Sequence, residues 1–179
     1  MSETNQLILI ACSKSKLDYR RPAEQIYTGD LFKKAMRFSW LLWDNNNHQS
    51  DTFILSAKHG LLDPDRIIEP YDETLNNFNA FELAHWARKV EQQIYNLNYH
   101  LESIVFLAGK HYREPLASFL PYKIINPLEG LGIGEQKQLM KNQLDEREAE
   151  RKRYAEYCAL PELDPVTKTW LSSYGKGGA

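Results

Sequence analysis

Four short apolar runs punctuate the chain, at residues 7–12, 52–57, 103–108 and 122–126. None alternates cleanly between apolar and polar positions. That is the pattern of strands covered on both faces, as in a parallel sheet. Between the runs the period becomes helical. Over 30–44, Phe32, Ala35, Met36, Ser39, Leu42 and Trp43 share one side. Over 80–101, Leu83, Ala87, Val90, Ile94, Leu97 and Leu101 follow one another at helical spacing. Asn79, with Glu82 three residues on, predicts a capping box at the start of that helix. A shorter helix is predicted near 114–119 and a last one over 135–157. The order β-α-β-α-β-α-β predicts a three-layer α/β/α sandwich with a four-stranded, mainly parallel sheet and right-handed crossovers.

The last predicted helix breaks the amphipathic rule. Every residue over 145–153 is charged except Ala149, so this stretch is expected to project into solvent. After Pro161 come Pro165, Trp170, Gly175, Gly177 and Gly178, and fraying is expected there. The chain therefore divides into a single α/β domain over 1–160 and a tail over 161–179.

Composition narrows the class. A chain of 179 residues with 42% apolar positions can bury one core, which excludes overall disorder. The longest apolar run, 7–12, is far too short to cross a bilayer, and residues 1–6 carry no basic secretory leader. Cys12 and Cys158 lie far apart and form no metal-ligand spacing, so a reduced, cytoplasmic protein is expected. The net charge is −2, but residues 14–37 hold seven bases (Lys14, Lys16, Arg20, Arg21, Lys33, Lys34, Arg37) against three acids (Asp18, Glu24, Asp30). A local excess of that kind is either a phosphate-facing patch or an ordinary solvated face.

In open α/β sheets, ligands bind beyond the carboxyl ends of the strands. Here each such end leads into a polar loop. The first reads Cys12-Ser13-Lys14-Ser15-Lys16, the second Ser56-Ala57-Lys58-His59-Gly60. The third reads Gly109-Lys110-His111-Tyr112-Arg113, and the fourth runs from Asn126-Pro127-Leu128-Glu129 to Gly130, Gly132 and Gly134. The recurrence of Lys-His after two strands predicts one shared cleft.

Ser13, Ser15 and the nearby lysines could hold a phosphate through backbone N–H groups and ammonium charge, although the glycine spacing of a Walker loop is absent. Gly132 and its neighbours let backbone approach a ligand before a helix N-terminus, or simply form a flexible turn. Cys12, at the end of an apolar strand, is expected to be a buried, inert thiol. Glu69, Asp72 and Glu129 are the candidate acids, Asp72 following Pro70-Tyr71 in a segment that proline holds extended. A capping or arginine-pairing role for Asp72 is the plain alternative. Asp63 and Asp65, flanking Pro64, are expected to be turn residues. No metal or organic cofactor is called for.

The motifs Ser56-Ala57-Lys58-His59-Gly60-Leu61-Leu62-Asp63-Pro64 and Glu69-Pro70-Tyr71-Asp72 resemble a family of small uncharacterised domains from phages and bacteria. The resemblance extends to Tyr27-Thr28-Gly29, Gly109-Lys110-His111-Tyr112 and the loop from Pro127 to Gly134, covering about 7–140. More distantly, the Tyr-Thr-Gly and Gly-Leu-Leu…Pro-Tyr pattern is similar to the YaaA stress-response proteins and to a domain of archaeosine synthase. The strand order and the Asn-Pro-Leu loop look like the uracil-DNA glycosylase superfamily. That superfamily's water-activating acid after strand one has no counterpart in Cys12-Ser13-Lys14-Ser15, which implies a relative with a different acid and a different base. The Brig type of anti-phage DNA glycosylase, which removes a glucosylated hydroxymethyl-cytosine, is the nearest functional analogue.

The resemblance thus implies excision of a modified base from phage DNA, leaving an abasic site. Lys14 and Lys16 would hold phosphates. Asp72, or else Glu129, would stabilise the sugar cation or orient water. Asn126 and His111 would hydrogen-bond the departing base, and Tyr27 or Tyr71 would stack on it. Ser13, Lys58, His59, Lys110 and Gly132 would complete the substrate cleft. Two alternatives stay open: a non-catalytic DNA-binding protein of the YaaA kind, and a hydrolase or base-transferase acting on free nucleosides or nucleotides.

Overall fold

A computed structural model describes residues 5–45 and 50–158. The tail at 161–179 and the side chains of Trp43 and Cys158 lie outside what it describes.

The elements follow in chain order. Strand β1 (Gln6–Ala11) is followed by β2 (Arg21–Pro22), α1 (Ala23–Ile26) and α2 (Asp30–Asn45). Then come β3 (Ser50–Ser56), β4 (Gly60–Leu62), β5 (Ile67–Ile68) and a 3-10 turn at Leu75–Asn77. Helix α3 (Ala80–Tyr95), β6 (Ser103–Leu107), α4 (Lys110–Ala117), β7 (Lys123–Ile125) and α5 (Ile133–Cys158) complete the fold. The central sheet has five strands in the order β4-β3-β1-β6-β7. β3, β1, β6 and β7 are parallel, with Leu9 opposite Phe53 on one side and Phe106 on the other. The α/β sandwich with a mainly parallel sheet is as expected.

The fifth strand, β4, was not anticipated. It runs antiparallel to β3 through a tight turn, pairing Leu61 with Leu55. Gly60 makes the turn possible: its φ is +77°, and a Cβ there would fall 2.1 Å from Gln93 Oε1. β2 and β5 form a second, two-stranded antiparallel ribbon.

Both faces of β1 are covered. Ile8 and Ile10 face α2 and α5, in a core with Phe32, Ala35, Met36 and Met140. Leu7 and Leu9 face α3 and α4, in a core with Trp86, Ala87, Val90 and Leu116. β6 alternates likewise, Val105 and Leu107 toward the first core, Ile104 and Phe106 toward the second. The step from β1 to β3 runs through α2 on one face. The steps to β6 and β7 go the other way and place α3 and α4 on the opposite face, as crossovers of one hand require.

The capping box of α3 is present: Asn79 Oδ1 accepts from the Phe81 and Glu82 amides, and Glu82 accepts from the Asn79 amide at 2.7 Å. The helix stops at Tyr95, well short of residue 101, because Asn96 caps it and Asn98 turns into the left-handed region at φ 61°. Leu97 and Leu101 still pack on the core from the following loop. α4 begins at Lys110, earlier than expected, since the Gly109 carbonyl accepts from the Tyr112 and Arg113 amides. Asp63 forms the expected turn, its carboxylate accepting from the Asp65 amide at 2.8 Å. Beyond Met140, the last buried residue described in α5, that helix is mainly polar and charged. No helix of the described residues is long and apolar enough to cross a membrane.

Asn79→Ala is expected to lower the unfolding free energy by about 1 kcal/mol, the usual contribution of an N-cap. Urea denaturation checks this, and an unchanged midpoint would contradict the cap's role.

Candidate functional site

Four parallel strands bring their carboxyl ends to one edge, so the four polar loops gather there. β1 is followed in the sheet by β3 on one side and β6 on the other, which makes the gap between β1 and β6 the topological switch point. A cavity of about 160 Å³ opens at that gap. Ala11 and Cys12 line it from β1, Leu107 and Gly109 from β6, with Phe32 of α2 and Gln136 of α5 as outer walls. α2 and α4 both begin at glycines that line the cavity, Gly29 and Gly109, so the positive ends of two helix dipoles point toward it.

Beside this cavity lies a buried network of hydroxyl groups and a thiol. The Tyr71 hydroxyl sits 2.6 Å from that of Tyr27 and 2.8 Å from Ser56 Oγ. Ser56 Oγ also accepts the His59 amide at 3.0 Å, and the Ser56 carbonyl accepts Trp86 Nε1–H at 2.8 Å. Cys12 Sγ lies 3.2 Å from the Tyr112 hydroxyl. Burial pushes the phenols of Tyr27, Tyr71 and Tyr112 well above the usual tyrosine range, and the neighbouring Cys12 adds to the effect. These groups are neutral hydrogen-bonding groups at neutral pH.

Positive charge surrounds the network. Lys16 Nζ stands 4.3 Å from the centre of the Tyr71 ring, and Lys58 Nζ 5.7 Å from it. The His59 ring meets Tyr71 edge-on at 5.4 Å. Burial, with the charges of Arg66, Lys58 and Lys89, lowers the pKa of His59, so its imidazole is neutral at neutral pH. Its Nε2 is buried without a hydrogen-bond partner, as is the side-chain nitrogen of Asn126 after β7. Such groups call for an explanation, and a polar ligand atom is one.

A model of one protein family matches residues 7–142, which take in all four loops. The chain belongs to DUF6884, a family of unknown function. No curated protein and no solved structure matches it. The DUF6884 match ends just after Met140, so the polar part of α5 falls outside it.

Within the DUF6884 domain, the predicted site residues separate into two groups. Lys16, Lys58, His59 and Tyr71 come together around the hydroxyl network. Asp72, next to the anchored Tyr71, is exposed, and its carboxylate makes no hydrogen bond or ion pair with a described residue. Asn126 is half-buried. Lys14, His111 and Glu129 are exposed, and Lys110 faces Glu114 across an exposed pair at 3.5 Å. Such a surface pair contributes little and leaves Lys110 available.

Three others have structural duties. Tyr27 is 0% exposed and meets Phe32 and Tyr71 edge-on, so its ring has no face to offer a base. Ser13 Oγ accepts from the Gly29 amide and donates to the Ser15 carbonyl, both at 3.1 Å, locking the first loop onto the start of α2. A Cβ at Gly29 would lie 2.3 Å from that hydroxyl, so only glycine fits. The Gly132 amide donates to Glu135 at 2.7 Å, which caps α5 and occupies the N–H expected to meet a ligand.

The basic stretch over 14–37 is partly neutralised. Asp30 takes both Lys34 and, at 2.9 Å, Lys137, tying α2 to α5, and the two lysines lower its pKa. Cys12 is half-buried and faces the cavity, contrary to the expected inert, buried thiol. Ser56, Tyr112 and Trp86 join the site without having been singled out. The signal for two of them was present, since Ser56 ends a strand and Tyr112 completes Lys-His-Tyr. Among the described residues, no three of His, Cys, Asp and Glu form a group that could hold a metal.

The buried phenols set an alkaline limit on stability. An unfolded tyrosine ionises near pH 10, whereas these three stay protonated in the fold. Above that pH the folded chain holds more protons than the unfolded one, so stability is complete below about pH 10 and falls as pH rises further. Urea midpoints across that range should decline together with late-appearing phenolate absorbance. A second expectation concerns Tyr71→Phe, which removes the hydroxyl that Ser56 and Tyr27 share and should destabilise by about 1–3 kcal/mol in the same assay.

Proposed function

We propose that this protein is a DNA N-glycosylase that excises a modified base, most simply a modified pyrimidine of phage DNA, and leaves an abasic site. The observation that carries this is the cavity of about 160 Å³ at the switch point between β1 and β6. A cavity of about 150 Å³ holds one benzene-sized ring, so this one takes a single pyrimidine ring and not a whole nucleotide. A pocket of that size suits a base turned out of its stack, with sugar and phosphates left outside. The strand order and the Asn-Pro-Leu loop, which look like those of the uracil-DNA glycosylase superfamily, support the same class.

In this mechanism water adds to C1′ of the deoxyribose, the C1′–N bond breaks, and the base leaves as an anion that then takes a proton. The sugar becomes cationic as the bond stretches. Asp72, with Glu129 as the second candidate, stabilises that cation and accepts the proton of the attacking water. Asn126, with its buried unpartnered nitrogen, and His111, in the first turn of α4, are the candidate donors to the departing base, although neither lines the cavity itself. The helix N-termini at Gly29 and Gly109 favour the negative charge on the base. Lys14 and Lys16 hold phosphates of the strand.

The net charge of −2 favours a second reading, an enzyme acting on free nucleosides or nucleotides. Salt separates the two, because several phosphate contacts make affinity fall steeply with ionic strength and a small ligand does not.

The deciding assay incubates the protein with DNA from phages carrying modified bases and searches for released base by mass spectrometry and for alkali-labile breaks. Release is expected, and Asp72→Asn should reduce its rate by about 10²- to 10⁴-fold while DNA affinity persists. No release across a panel of modified DNAs removes the proposal. An Asp72→Ala chain that keeps its full biological effect would point to a non-catalytic DNA-binding role.

A further inference from the structure

A second cavity, of about 300 Å³, opens on the other side of the β3–β4 turn, against the first half of α3. Phe78, Phe81 and Trp86 supply its aromatic walls, and Lys58, His85 and Lys89 supply its polar edge. Phe81 is 80% exposed on the first turn of α3. A large aromatic ring held that far into water on a rigid helix contributes almost nothing to the core.

Two lysines, Lys58 and Lys89, line this cavity against one acid, Glu82. Lys58, Lys89 and Arg66 all lie close enough to His59 to lower its pKa, with Glu73 as the opposing acid. None of the three cations forms an ion pair with a described carboxylate. Lys89 Nζ donates to the Lys58 carbonyl at 2.9 Å, which fixes its ammonium beside the turn with two protons to spare. Glu82, the acid lining the cavity, is turned back onto the Asn79 amide as part of the capping box. Aromatic walls under unpaired cations fit a ligand that is both flat and anionic.

Packed side chains link the cavity to the site already described. Trp86 lines it and meets Tyr112 edge-on at 5.7 Å, and Tyr112 touches Cys12 of the first cavity. Lys58 belongs to this cavity and reaches toward Tyr71 of the hydroxyl network. Two aromatic side chains therefore separate the one-ring pocket from this platform.

We infer that the second cavity binds single-stranded DNA, with Phe81 stacking on a base next to the everted one and Lys58 and Lys89 holding the phosphate between them. This rests on the proposed excision for the everted base, but the binding itself needs no chemistry. Stacking of this kind tolerates any base, so the platform sets the grip on the strand and leaves recognition to the first pocket.

The test measures binding of an unmodified thymidine oligonucleotide, about ten nucleotides long, across a range of salt concentrations. Phe81→Ala is expected to weaken binding about tenfold, and Phe81→Trp to preserve it. Lys89→Met should lower the slope of log affinity against log salt by about 0.7, the value for one phosphate contact on a single strand. Exposure of Phe81 means that its substitution leaves folding intact, which the urea midpoint confirms. Unchanged affinity in Phe81→Ala together with an unchanged slope in Lys89→Met overturns the assignment. Base release by a protein whose Phe81→Ala form binds like the parent removes the platform and leaves excision standing. Aromatic-dependent binding without any base release does the reverse.

Discussion

The burial of β1 on both faces is the constraint from which the rest follows. Leu7, Ile8, Leu9 and Ile10 are all fully excluded from water, so this stretch of the strand has no place for polar chemistry. Everything reactive is displaced to the strand's carboxyl end. The same holds for Ile104 to Leu107 of β6 and for Ile54 and Leu55 of β3. Because these strands are parallel, the displaced groups share one edge. The reversal of strand order at β1 then opens a gap between loops that would otherwise pack side by side.

That edge is held by hydrogen bonds among neutral groups. Tyr71 comes from the long loop after β5, Ser56 from β3 and Tyr27 from the segment before α2, and one phenol joins all three. In a poorly solvated region such bonds are strengthened, while any unmatched member would be expensive. The network therefore fixes where the loop carrying Asp72 leaves the sheet. The Asp72 carboxylate next to it is exposed. Ser13 plays the corresponding part for the first loop by accepting the amide of Gly29. The same geometry explains why Cys12, at the end of an apolar strand, is only half-buried: Tyr112 supplies its polar contact and the cavity supplies its open side.

Much of this was legible in the sequence, for physical reasons that also explain the exceptions. Short apolar runs marked the four parallel strands, and the capping box at Asn79 marked the start of α3, because both are local signals with direct structural consequences. β4 was hidden because three residues cannot show a period, and because its turn depends on Gln93, more than thirty positions away, which brackets Leu61 with its amide. The apolar spacing through Leu101 suggested a longer α3, yet Leu97 and Leu101 pack from a loop as well as they would from a helix. Among the site residues, Tyr27 and Ser13 carried the right chemistry for ligand contact. Their partners, Phe32, Tyr71 and Gly29, lie apart from them in sequence or across a turn, and burial by such partners has no local signature.

The distribution of charge shows how a chain with a net charge of −2 is compatible with the polyanionic partner proposed for it. Several acids are already committed where they stand: Asp30 to Lys34 and Lys137, Glu82 and Glu135 to helix starts, Asp63 to a turn. Glu148 and Glu150 are matched by bases on the polar part of α5, away from the strand ends. Lys16, Lys58, Lys89 and Arg66 have no carboxylate partner among the described residues, and they gather around Tyr71 and His59. A phosphate of the proposed substrate would therefore meet cations that no carboxylate pairs directly, while the acids just named are engaged elsewhere. Long-range attraction depends on that local field and not on the sum over the chain, and screening over about 8–10 Å at physiological salt removes the more distant acids from account.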